Sequence, residues 1–200
     1  MTKQEKPIHT LIPYEDFKAL LGIDDREEKL ARFCLATATY TIEQHCKRRF
    51  LHKKHFERIQ YIGDNFLPLG EYPVNDVLAV YALIGTDSEI IESDFYSVIP
   101  YCGTFDDIPF YLSFSRALQR YRGLFAVKVV YWAGYSVGNI PPDLASACME
   151  LAVWNMNRYK GRRIGMIGNV RGGGKDGEHF EISMPENVRT LLEPYRRKTI

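Results

Sequence analysis

The apolar pattern of this chain changes its repeat twice. From residue 14 to about residue 49, apolar side chains recur every three to four positions. Beyond Lys53 they alternate, and from Pro141 the helical repeat returns. A chain with this pattern has to join helix packing to sheet packing, with the sheet enclosed between helical flanks. The fold class expected is therefore α+β: an α-helical bundle with an inserted antiparallel β domain and an extended C-terminal arm.

Residues 14–22 form a short predicted helix, with Phe17, Leu20 and Leu21 on one face and Gly22 as its stop. Asp25 followed by Glu28 has the spacing of a capping box and predicts a second helix reaching Arg49. Its expected stripe is Leu30, Phe33, Cys34, Ala38 and Ile42, and Glu43 to Lys47 is a favourable i,i+4 pair. Strands are predicted over 55–62, 77–84, 89–92, 95–99, 110–114 and 125–132, separated by Gly, Pro, Asn and Asp. Pro141, Pro142 and Asp143 open a third helix, carrying Leu144, Ala147, Cys148, Leu151, Ala152, Asn155 and Tyr159 at helical spacing. Residues 161–178 hold seven glycines and predict a long arm. A short strand over 180–183 and a last helix over 185–195, broken at Pro194, complete the chain. The expected divisions are 1–52 (N-terminal bundle helices), 53–136 (β domain), 137–161 (long C-terminal bundle helix) and 162–200 (arm and closing segment).

Hydrophobic residues make up 46% of the 200 and charged residues 26%, which excludes a disordered chain. No apolar run approaches the roughly 18 residues of a membrane span, and residues 1–17 contain no apolar signal region, so synthesis in the cytoplasm is expected. The four cysteines form no CxxC pair and read as small buried hydrophobes. Net charge is only +1, but its distribution is uneven. Residues 1–60 carry 12 Lys+Arg against 9 Asp+Glu, residues 61–140 carry 4 against 9, and residues 141–200 carry 10 against 7. Basic ends flank an acidic middle, as in a chain whose faces meet different partners or further copies of itself.

Motifs for catalysis fail on their chemistry. Arg171 to Lys175 looks like a phosphate-binding loop, yet Asn169 stands where the first glycine belongs, and Asp176 replaces the hydroxyl residue that would hold magnesium. His45, Cys46, His52 and His55 cluster in sequence without a common zinc spacing. No nucleophile elbow, carboxylate pair or Ser/His/Asp order stands out. No catalytic residue, cofactor or metal is expected. Two basic concentrations remain: Lys47, Arg48 and Arg49 with Lys53, Lys54 and Arg58, and Arg158 to Lys175. Both lie at predicted helix C-termini, where cations offset the helix dipole. Tracking phosphates without reading sequence is the functional alternative, and it stands behind that role on residues alone.

Three stretches resemble the head–tail connector (adaptor) family of tailed bacteriophages. Residues 10–50 show a short helix, an acidic turn and a long helix ending in Cys46-Lys47-Arg48-Arg49-Phe50. Residues 127–159 run from a strand ending Tyr131-Trp132-Ala133-Gly134-Tyr135 through Pro141-Pro142-Asp143 into a long helix. Residues 185–196 resemble the family's closing segment. The resemblance implies a structural protein of the virion neck, made in the host cytoplasm, forming a homo-oligomeric ring commonly of twelve subunits beneath the portal protein. It implies a DNA channel extended by the ring, transient contact with double-stranded DNA, and a platform for the next neck or tail protein (a stopper or tail terminator). It further implies that Leu191, Leu192, Pro194, Tyr195, Arg196 and Arg197 bind the portal, and that Lys47, Arg48, Arg49, Arg162 and Arg163 are DNA-channel candidates. The alternatives are a sequence-independent nucleic-acid-binding protein acting through its basic helix ends, and a small metal-dependent enzyme using the histidines.

Overall fold

A computed structural model describes residues 9–61, 66–100, 109–115, 125–161 and 184–197. The chain divides into two compact units, one formed by Met1–Lys47 with Asn139–Ile200 and the other by Arg48–Gly138. The expected 180–183 strand, the glycine-rich stretch beyond Gly161, Cys102, Arg162 and Arg163 lie outside the described residues.

The first unit contains α1 (Tyr14–Leu21), α2 (Glu28–Cys46), α3 (Pro142–Lys160) and α4 (Glu186–Leu192). Gly22 adopts φ 62° and closes α1, a conformation glycine takes without steric cost. The expected capping box does not form. Asp24 instead accepts from the Arg26 backbone N–H at 3.1 Å, capping a 3-10 turn over Asp25–Glu27, while Asp25 pairs with Lys18. The helix that follows ends at Cys46 rather than Arg49, because Lys47 turns left-handed at φ 55° and its N–H bonds to the Gln44 carbonyl.

Helices α2 and α3 pack antiparallel: Glu27 meets Lys160 at 2.7 Å, Phe33 meets the Tyr159 ring edge-on at 5.6 Å, and Thr39 meets Cys148 at 3.7 Å. The buried residues of α2 include the expected Cys34, Ala38 and Ile42 and add Ala31, Leu35, Thr39, Glu43 and Cys46; Phe33, also expected, is 53% exposed. The opposing helix buries Leu144, Ala147, Cys148, Leu151, Ala152 and Met156. Both surfaces are rich in small residues, Ala31, Cys34 and Ala38 on α2 and Ala147, Cys148 and Ala152 on α3. Thr39, buried among them, accepts the Leu11 N–H at 3.1 Å and so ties the N-terminal segment to α2.

The second unit holds two antiparallel sheets. In one, the strand order is β1 (Lys53–Tyr61), β7 (Phe125–Ala133), β3 (Val74–Ile84) and β4 (Asp87–Ile91). In the other it is β2 (Phe66–Pro68), β6 (Pro109–Phe114) and β5 (Tyr96–Pro100). The three-residue β2 is too short and too proline-marked to show an alternating pattern. The core is built from Tyr61, Leu67, Val80, Ile91, Leu112, Val127, Val129 and Tyr131, drawn from both sheets. The edge strand β1 alternates exposed and half-buried residues up to buried Tyr61, whereas β7, flanked by β1 and β3, buries Ala126, Val127, Val129, Val130, Tyr131 and Ala133 and leaves Lys128 exposed.

Candidate nucleic-acid and partner interfaces

Lys47, at the end of α2 in the first unit, is exposed. Its neighbours in the second unit differ sharply from one another. Arg49 is exposed, and its backbone N–H donates to Glu71 Oε2 at 2.7 Å. Arg48 is only 3% exposed. Its guanidinium lies 3.2 Å from the Tyr72 ring centroid and 4.7 Å from that of Phe50, and it donates to the Tyr72 carbonyl. The expectation that Arg48 faces DNA is therefore corrected: its charge is held inside the unit by two aromatic faces. Lys53, Lys54 and Arg58, which follow on β1, are exposed.

The closing segment docks on its own helical unit. Leu192 and Tyr195 are buried. Tyr195 donates its hydroxyl to Asp143 Oδ1 at 2.6 Å, the Cys46 thiol reaches the Leu192 carbonyl at 3.9 Å, and the Arg197 N–H donates to the Cys46 carbonyl at 2.8 Å. Asn187 donates to Glu150 on α3. Leu192 and Tyr195 are thus packing residues of the free chain, a correction to their expected portal contact. Leu191 is half-buried, while Pro194, Arg196 and Arg197 are exposed. Residues 186–195 form α4 and a 3-10 turn, the closing helix expected from the sequence.

The histidine and cysteine cluster separates. His45 lies on α2, where burial and the Arg196 guanidinium hold its imidazole below the ordinary value. His52 stacks on Trp132 at 5.0 Å, and His55 lies 5.7 Å from the Tyr131 ring. Burial, then Lys53, lowers the His55 pKa. Among the described residues, no group of three or more His, Cys, Asp or Glu is placed to hold a metal ion. Cys34, Cys46 and Cys148 are buried. Burial pushes the Cys34 thiol up to about 11 and the Cys148 thiol up to about 12, so neither is a thiolate near neutral pH. No described helix is long and apolar enough to cross a membrane.

A half-buried polar cluster had its signal in the alternation of β1. Glu57 stands at an inward position of the alternating β1 strand. Its Oε2 accepts from the Tyr131 hydroxyl at 2.8 Å and the Gly70 N–H at 2.8 Å, and the Tyr131 oxygen accepts from the Glu71 N–H at 3.2 Å. Burial and the Glu57 carboxylate raise the Tyr131 pKa, so the phenol stays protonated and remains a donor.

The chain matches no known family profile and no curated protein. Among solved structures it is similar to a chain in the neck of an empty gene transfer agent particle computed with C6 symmetry. The TM-score is 0.60 and the identity 19%, over 95% of this chain and 91% of that one. It is also similar to a chain in the neck of the native particle computed with C12 symmetry, with TM-score 0.56 and 19% identity over 98% and 94% of the two chains. A chain of the native gene transfer agent virion aligns with TM-score 0.55 and 17% identity over 100% and 96%. The α+β fold, from its first helix to its closing segment, is thus one also found in particle necks.

Proposed function

We propose that this protein is a structural head–tail connector (adaptor): copies form a ring, of twelve subunits, beneath a portal protein in the neck of a phage-like particle. The ring extends the DNA channel and offers its far side to the next neck or tail component. The observation that carries this reading is the near end-to-end likeness to chains from necks of C6 and C12 symmetry.

The residue assignments follow from exposure. Portal contact falls to Leu191, Pro194, Arg196 and Arg197. DNA contact falls to Lys47 and Arg49, with Arg162 and Arg163 carried as candidates from the sequence. Such contacts have to be weak and blind to sequence, since DNA must slide past them. Electron microscopy of purified particles tests the reading. The expected result is ring density for this chain at the vertex joining head to tail, and heads without tails when its gene is deleted. Particles complete without it would overturn the proposal.

A further inference from the structure

The two edges of the four-stranded sheet carry opposite charge. Among the described residues the order β1-β7-β3-β4 leaves β1 and β4 each with one neighbouring strand, and every adjacent pair is antiparallel. With four alternating strands, β1 and β4 run in opposite directions. A second copy set beside the first, with its β4 against the first copy's β1, therefore continues the antiparallel ladder without reversing the sheet. Edge strands present unpaired backbone donors and acceptors and are ready templates for such addition.

Charge selects which edges meet. The β1 edge shows exposed Lys53, Lys54 and Arg58. The β4 edge and the residue after it show exposed Asp87, Glu89 and Glu92. Lys53, Arg58, Asp87 and Glu92 make no ion pair with other described residues. Two β1 edges repel, as do two β4 edges, and only the unlike pair attracts.

Apolar placement agrees. The register runs Arg58 to Lys128, Lys128 to Tyr81, and Tyr81 to Ile90 across the sheet. Phe56, two residues from Arg58, therefore shares the outer face with Ile90. Phe56 is 68% exposed and Ile90 58% exposed, one at each edge. Joined edges bring them together on one side of the seam and take both out of water.

We infer that the β1 edge of one subunit pairs with the β4 edge of the next, so that the sheet runs on from copy to copy. The occupant of each edge is a second copy of this chain. The contact uses different surfaces on its two sides, the kind that closes into a ring when the rotation per copy permits. This inference rests on the ring reading above and names the surfaces that would build it.

Phe56→Cys with Ile90→Cys in one full-length chain tests the contact. Under mild oxidation, the double variant is expected to give a disulfide ladder well beyond the dimer. Each single variant and the wild type give dimers at most. Lys53→Glu with Arg58→Glu on that background should cut the ladder by about tenfold, a change of about 1.4 kcal/mol. Adding Asp87→Lys with Glu92→Lys should restore it. No ladder, or no restoration, overturns the edge contact. Light scattering and electron microscopy separate the two proposals: closed rings that never cross-link overturn the edge contact alone, and cross-linked open chains that never close overturn the ring alone. Wild-type chains that stay monomeric at every concentration, with no ladder, overturn both.

Discussion

The backbone of Leu51 passes so close to Gly134 that a Cβ built on the glycine would lie 2.7 Å from the Leu51 carbonyl carbon and oxygen. Gly134 also adopts φ 105°, which side-chain-bearing residues avoid. The approach is fixed by three backbone bonds: Gly134 N–H to the Pro73 carbonyl at 2.9 Å, Tyr135 N–H to that of Phe50 at 2.7 Å, and His52 N–H to that of Tyr135 at 2.9 Å. Gly134→Ala should lower stability by about 3 kcal/mol, read by urea unfolding. Gly138→Ala, with nothing within 4 Å of the added carbon, should stay within about 0.5 kcal/mol of the wild type.

Arg48 serves the fold. Removing its guanidinium from between Phe50 and Tyr72 leaves two aromatic faces with no cation. Arg48→Ala should cost about 2 kcal/mol in thermal or urea unfolding. An unchanged midpoint would return Arg48 to the set of solvent-facing cations.

The closing segment should be docked in the free chain. Leu192→Ala should cost about 3 kcal/mol, since Leu192 is fully buried. Tyr195→Phe should cost about 1.5 kcal/mol through loss of the bond to Asp143. If unfolding midpoints of the isolated chain did not move, the segment would be free until it meets a partner.

Acid should weaken the β unit through His55. Its folded pKa is lowered from 6.5, by burial first and Lys53 second, and its buried Nε2 has no hydrogen-bond partner among the described residues. The unfolded chain therefore binds a proton as pH falls through about 6.5 while the folded chain does not. Stability is intact above that value and declines below it, until the pH reaches the lowered folded value. Urea unfolding at about pH 7.5 and pH 5.5 should show the loss, and His55→Gln should reduce it.

Local pattern carried far in this chain. The helical spacing from Leu144 to Ala152 predicted the buried face of α3, and the β-branched and aromatic run from Phe125 predicted β7 to within a residue of its end. The motif Ala133-Gly134-Tyr135 was visible as a motif, but its reason, the Leu51 backbone alongside, was not. The stripe of α2 was right at Cys34, Ala38 and Ile42 but wrong at Phe33, because neighbouring positions share helical spacing, and the choice among them depends on the small residues of α3, more than a hundred positions away.

Apart from the three-residue β2 and the 3-10 turns, sequence alone determined the types of described element and their order, because a repeat of two or of about 3.6 residues is written in neighbouring positions. It also determined the segregation of charge along the chain. Tertiary structure decided which cation is enclosed, which C-terminal side chains are packed, and which strands stand at the sheet edges. Those outcomes depend on partners distant in sequence: Tyr72 for Arg48, Asp143 for Tyr195, and the order in which β7 enters between β1 and β3. A local pattern fixes which way a side chain alternates; only the closed fold fixes what it then meets.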